Sequence, residues 1–172
     1  LQGAYGKLDI DAELRCGLVY GNGDHFTAGL DLPEWTASLG SGKWPALAAH
    51  ERDPFRLDPA HELSKPLVFA AQGICFTVAI ELMLAGDVRV AADNCRFGQI
   101  EVRRGIYACG GATVRMVQEF GWGNAQRYFL TGDEFNAQEA LPIGLVQEVG
   151  PVGQRFTAAV GAAPKTGATD TA

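Results

Sequence analysis

The segment VAIELMLA, from Val78 to Ala85, is apolar at every position but one. A helix apolar all round has to lie inside a domain, so this short stretch obliges the rest of the chain to enclose it. The exception is Glu81. A carboxylate removed from water is costly unless it is hydrogen-bonded or its pKa rises, and groups held in that way collect at functional sites. Local sequence leaves two accounts of Glu81 open: a first-turn glutamate favoured by the helix dipole, or a reacting group.

The flanks of this helix can be read on the same terms. LVFAAQ, just upstream, is the apolar run of a strand buried on both faces, and Gly73 with Thr77 offers a turn and a helix N-cap. After Gly86, DVRVAAD alternates as a strand does, and RFGQIEV then sets Glu101 just beyond a glycine, outside regular structure. Loops on rigid scaffolds carry chemistry, although a solvated loop carboxylate is the other account of Glu101. Residues 65–111 alone bury acidic side chains in apolar surroundings at positions a reaction could use.

On either side the chain supplies further elements. LQGAYGKLDIDAELR reads as the end of a helix and a turn, followed by the strand CGLVY. GNGDHFTAGLDL is a turn rich in Gly and Asp, then a loop whose backbone N–H groups can approach a ligand, with Asp31 fixing the loop. His25 has no acidic or Cys/His partner at ligand spacing and reads as a surface or loop-packing histidine. Residues 33–65 are polar, interrupted by prolines and without periodicity; Trp35 and Trp44 are aromatics that pin such a loop to the core. Downstream, GGATVRMVQEFG and WGNAQRYFLTG have helical spacing, a short helix follows from Ala137 to Ile143, and LVQEV returns as a strand. Strands alternating with helices predict an α/β domain with a parallel sheet. No repeat at a fixed period is visible.

Composition narrows the partners. With 172 residues, 47% hydrophobic and 20% charged, the chain suits one globular domain over 1–161, with residues 162–172 a frayed tail of small and polar residues. A net charge of −6 and no basic stripe argue against nucleic acid. The only adjacent basic pair, Arg103 and Arg104, reads as a solvated loop edge or as an anion contact. Cys16, Cys75, Cys95 and Cys109 form no CxxC pair and sit in or beside apolar segments, as free thiols of a reducing compartment do. The longest apolar run is far short of a membrane span, so the expectation is a soluble, cytoplasmic protein with no membrane partner.

Residues 65–111 resemble the enoyl-CoA hydratase/isomerase (crotonase) family. There a Lys-Pro strand leads through a Gly-rich turn to a helix with one glutamate, and a Phe-Gly-Gln-Pro-Glu loop carries a second. Glu81 and Glu101 lie twenty residues apart, as the family's two glutamates do. HFTAGLDL is similar to the family's Phe-Ser/Ala-Ala-Gly-X-Asp-Leu/Ile loop, and YFLTGDEFNAQEALPIGLVQEV to its Leu-Thr-Gly-Asp...Gly-Leu-Val segment, giving four ordered matches across residues 17–149.

The resemblance implies an α/β fold, a β-β-α spiral truncated at both ends relative to the family, without its first strands and its C-terminal helices. It implies that Glu81 activates water and Glu101 exchanges the α-carbon proton of an acyl-CoA. The backbone N–H groups of Leu30 and Val78 would form an oxyanion hole. Ala28, Gly29 and Asp31 would bind substrate or CoA, and Trp35 and Trp44 would face the acyl group. No metal or redox cofactor is implied, coenzyme A entering only as part of the substrate, and a homo-oligomer, trimer or hexamer, is implied. Two departures stand out. Thr77-Val78-Ala79 replaces the usual three glycines, which sets a bulky residue, poorly suited to positive φ, at the oxyanion position; and Ile100 replaces proline. Retention of both glutamates favours hydration over isomerisation, and a dienoyl isomerase would place a further acid where Ala108 and Cys109 stand. Another CoA-thioester reaction and a non-catalytic CoA-binding subunit are the competing readings.

Overall fold

The computed structural model describes residues 1–41, 44, 46–154, 159 and 161. In chain order the elements are α1 (Gln2–Ile10), β1 (Gly17–Tyr20), α2 (Leu32–Ser41), β2 (Leu67–Ala71), β3 (Ile74–Phe76), α3 (Val78–Ala85), β4 (Val88–Ala92), β5 (Arg96–Gly98), α4 (Ala112–Phe120), α5 (Trp122–Thr131), β6 (Glu134–Asn136), α6 (Ala137–Ala140) and β7 (Glu148–Gly150), with 3-10 turns at Pro59–His61 and Glu101–Arg104.

All five residues of β2 are buried, as its unbroken apolar sequence requires of a strand covered on both faces. It pairs in parallel with β1 and β4, and β7 completes a parallel sheet in the order β1-β2-β4-β7. A second sheet, β3-β5-β6, pairs β3 with β5 in parallel and β5 with β6 antiparallel. All eight residues of α3 are buried.

The path through these elements is a spiral. β2 lies in the first sheet, β3 in the second, and α3 follows; the next turn repeats this with β4 and β5. Val68 is paired with Val88, twenty residues on, and Ile74 with Arg96, twenty-two on. An earlier turn runs from β1 through Thr27, which bridges Cys75 in parallel, but there Gly17 pairs with Leu67, fifty residues on. The extra length lies in residues 33–65. Turns of such unequal length explain why no fixed period shows in the sequence.

Several expectations are corrected. The region without periodicity contains α2, whose Pro33 sits in the first turn, where a missing N–H costs nothing. β3, β5 and β6 are three residues each, too short to display alternation. Glu101 opens a 3-10 turn rather than standing outside regular structure, and Gly105 ends that turn at φ 69°. Thr77 occupies the N-cap of α3 without a side-chain cap bond. The four cysteines are free, as expected. The frayed tail expected over residues 162–172 lies outside the described residues. No helix among the described residues is long and apolar enough to cross a membrane.

Arg89 in β4 is buried, yet satisfied: it donates to the carbonyls of Leu145 and Gly86 at 2.6 and 3.1 Å and to Glu119 at 3.0 Å. A buried guanidinium without such partners would be strongly destabilising. This one ties β4 to α4 and to the segment entering β7.

Candidate active site

The entry to α3 is fixed from two directions. The Thr77 N–H donates to the Gly98 carbonyl at 2.8 Å, joining the helix start to the end of β5, and the Thr77 carbonyl accepts from the N–H groups of Ile80 and Glu81. Thr77 takes φ 53° and ψ −108°, a conformation rare for a residue with a Cβ. The substitution of glycine therefore stores its strain at Thr77, and Val78 begins the helix with no positive φ. That corrects the expectation that Val78 would carry the cost.

From the first turn of α3 the Glu81 carboxylate reaches the start of α4. Its Oε1 accepts the N–H groups of Gly110 at 2.6 Å and of Ala112 at 3.4 Å. Only a glycine fits beside it, since a Cβ on Gly110 would lie 2.6 Å from Glu81 Oε2 and 2.8 Å from its Cδ. Glu81 is 4% exposed, and burial pushes its pKa up against the opposing pull of the Ala112 and Gly110 N–H groups and the Arg115 charge. Arg115 also braces this turn, donating to the carbonyls of Gly110 at 3.4 Å and Arg56 at 3.2 Å.

Glu101 is 8% exposed. Its Oε1 accepts from Gln99 Nε2 at 2.7 Å, while its Oε2 is buried with no hydrogen-bond partner among the described residues. Burial pushes its pKa up to about 7, helped by the charge of Glu81 and opposed by its own backbone and by Gln99. An unpartnered buried carboxyl oxygen poised to titrate near neutrality is a group prepared for proton exchange.

The loop before α2 completes the site. Gly29, at φ 122°, lies so close to Thr77 that a Cβ there would stand 2.6 Å from its Oγ1. Thr27 Oγ1 accepts the Gly29 N–H at 3.2 Å, and the Thr27 carbonyl accepts the Phe76 N–H at 3.0 Å. The N–H groups of Leu30 and Val78 donate to no acceptor among the described residues.

A cavity of about 770 Å³ unites these groups: Glu81, Glu101, Leu30, Val78, Ala28 and Gly29 all line it. Asp31 does not; its carbonyl accepts the Trp35 N–H at 3.1 Å and so starts α2. Trp35 and Trp44 line the cavity and also pack together edge to face at 5.5 Å, with Trp44 against Phe55 at 5.3 Å, so anchoring and facing the cavity coincide. A second cavity of about 810 Å³ shares Gly29, Leu30, Val78 and both tryptophans. His25 packs in a loop, its Nδ1 accepting the Ile74 N–H at 3.3 Å. Among the described residues no three His, Cys, Asp or Glu side chains gather as metal ligands.

Sequence reasoning assigned no role to Gln99 or Gly110, and it considered Cys109 only as a place where a dienoyl isomerase would carry an acid. The signal for Gly110 was its place in a glycine pair before a helix; Gln99 gave none. Cys109 is half-buried in the cavity wall, where burial and the charges of Glu81 and Glu101 push its thiol pKa up. Chemically the assembly offers two free N–H donors for a developing oxyanion and two buried carboxyls of unequal environment.

Comparison with known proteins bears on this geometry. The family model "Enoyl-CoA hydratase/isomerase" matches residues 1–167. Enoyl-CoA hydratase EchA19 of Mycobacterium tuberculosis is 32% identical over 160 residues, 91% of this chain and 59% of that protein. Mevalonyl-coenzyme A hydratase SIDH of Beauveria bassiana is 35% identical over 151 residues, 84% of this chain and 54% of that protein. The crystal structure of a probable enoyl-CoA hydratase/isomerase from Mycobacterium abscessus superposes with a TM-score of 0.91 at 43% identity, over 96% of this chain and 63% of that one. The chain thus spans somewhat over half the length of the curated relatives it matches.

Proposed function

The chain belongs to the enoyl-CoA hydratase/isomerase family, and from that premise we propose that it adds water across the 2,3 double bond of an acyl-CoA thioester, with Glu81 and Glu101 as the acid-base pair. The observation that carries this reading is the lining of one cavity by both buried glutamates and by the free N–H groups of Leu30 and Val78.

In this reading the thioester carbonyl oxygen accepts the two N–H groups, and charge that develops there is also favoured by the N-terminal end of α3. Ionised Glu81 takes a proton from water as the water oxygen bonds to the β-carbon. Protonated Glu101 delivers its proton to the α-carbon as the enolate collapses, and proton exchange with solvent then resets the pair. The rise of the Glu101 pKa to about 7 supports its role as the acid near neutral pH. The hydrogen bonds from Gly110 and Ala112 favour the charged form of Glu81 and so oppose the burial that raises its pKa, which supports Glu81 as the member that acts ionised. Ala28 and Gly29 bind the thioester end, Asp31 acts through the loop, and CoA is the only cofactor-derived group involved. A homo-oligomer, trimer or hexamer, and a cytoplasmic location belong to the same reading and rest on the family alone.

The test follows the conjugated enoyl-thioester absorbance with crotonyl-CoA and with a 3-enoyl-CoA. Loss of absorbance with crotonyl-CoA, reduced by about 10² or more in Glu101→Gln with CoA binding retained, is the expected result. Equal activity in the variant removes Glu101 from the mechanism. Gain of absorbance with the 3-enoyl substrate alone indicates isomerisation, and binding without turnover indicates a CoA-binding subunit.

A further inference from the structure

Arg104 closes the 3-10 turn that Glu101 opens, and it is the one cationic side chain lining the 770 Å³ cavity among the described residues. Every other described arginine is engaged. Arg52, Arg56, Arg89, Arg96, Arg103 and Arg127 each meet a carboxylate. Arg115 donates to two carbonyls, and Arg15 has an interaction of its own. Arg103, next door, donates to the Thr131 carbonyl at 3.5 Å and to Asp133 at 3.4 Å. Arg104 has neither a hydrogen bond nor an ion pair among the described residues.

A lone guanidinium in a cavity whose other charged groups are two carboxyls is an anion site in waiting. An anion entering unaided would be repelled by Glu81 and Glu101; Arg104 offsets that repulsion and offers a planar fork that matches a carboxylate. Its place in the turn distinguishes two sources of the anion. Glu101 and Arg104 are three residues apart in a 3-10 turn, roughly 6 Å along its axis, whereas the phosphates of CoA are held away from the thioester by the whole pantetheine arm. An anion that meets Arg104 while the thioester carbons meet Glu101 is therefore carried by the acyl group. The apolar lining near the turn, Ile100, Ile106 and Val114, suits the methylenes between.

Resting on the acyl-CoA reading above, we propose that the preferred acyl group carries a carboxylate at the end remote from the thioester, and that Arg104 is the residue that selects it. The measurement compares kcat/KM for an ω-carboxy-2-enoyl-CoA with that for a neutral 2-enoyl-CoA of the same chain length. The expected preference for the carboxylated substrate is about tenfold or more at low salt, shrinking as salt screens the pair. Arg104→Gln removes the preference by slowing the carboxylated substrate alone, and Arg104→Lys keeps part of it.

Equal slowing of both substrates would assign Arg104 to CoA or to loop shape and overturn the proposal, as would a preference unchanged in Arg104→Gln or absent from the wild type. Titration with the saturated ω-carboxyacyl-CoA and its methyl ester reads the same discrimination without turnover. Should no enoyl-CoA react while Arg104→Gln weakens only the carboxylated ligand, the hydratase reading fails and this one stands. A titration that shows no discrimination overturns this one whatever the catalysis. Arg104 is exposed and unbonded, so matching melting temperatures provide the control for folding.

Discussion

Glu101→Gln is expected to raise stability as well as to reduce turnover, and the gain should grow with pH. In the folded protein Glu101 ionises at about 7, against an ordinary value of 4.5. Between these values the folded state binds more protons than the unfolded chain, so stability falls as the pH rises through the window. The full difference is about 3 kcal/mol at about 1.4 kcal/mol per pH unit, of which about 2.5 kcal/mol develops between pH 5 and pH 8. Glutamine does not titrate. Whatever it costs to place an amide where the unpartnered Oε2 stood is the same at both pH values and cancels when the two proteins are compared across pH. Urea denaturation of both at pH 5 and pH 8 measures this. The stability advantage of the variant should be larger at pH 8 by about 2 to 3 kcal/mol, or roughly 5 to 10 °C in melting temperature for a chain of this size. Parallel pH profiles would mean that Glu101 carries its charge as readily folded as unfolded, and would refute the argument from its burial.

The same geometry makes two further predictions. Gly110→Ala forces a methyl group to within 2.6 Å of the Glu81 carboxylate, so kcat for crotonyl-CoA should fall about 10²-fold, with about 1 to 3 kcal/mol lost in denaturation; an unimpaired rate would mean that Glu81 need not be held by that turn. The proposed hydration needs Glu101 protonated, so kcat/KM for the enoyl-CoA should decline as the pH rises through about 7, and a rate still climbing at pH 8 would reverse the proposed roles of the two glutamates.

Much of the fold and part of the site could be read from the chain because the decisive elements are strongly patterned. β2 and α3 are apolar throughout, so both their type and their burial follow from hydrophobicity, and Glu81 stands out as the one polar residue within them. Glu101 was harder. Its burial is a tertiary effect, and a four-residue 3-10 turn has no periodicity from which to read it. Gly110 and Gln99 act on the glutamates across 29 and 2 residues respectively, and neither residue type betrays its partner. α2 escaped notice because proline and glycine interrupt its pattern, although a proline in a first turn is harmless. The strain at Thr77 lies one residue before the expected place: the family resemblance implies that three glycines are replaced, and the structure gives the unusual dihedral angles to Thr77, whose N–H is bonded to Gly98.

The unequal turns of the spiral divide the chain into a part that must keep its length and a part that need not. Glu81 follows β3 and Glu101 follows β5, and these strands are neighbours in register, with Thr77 bonded to Gly98. Adding or deleting a residue between Ala85 and Arg96 would slide one strand against the other and turn every side chain of the shifted strand to the opposite face, separating the pair that shares the cavity. Residues 33–65 lie outside that paired turn, leave from one side of the cavity and return to the parallel sheet at β2. Their length can change at little entropic cost, and with it the position of Trp35 and Trp44 in the cavity wall. The wall of such a cavity can be reshaped by lengthening one excursion, while the distance between its two glutamates is held by strand pairing that the excursion never enters.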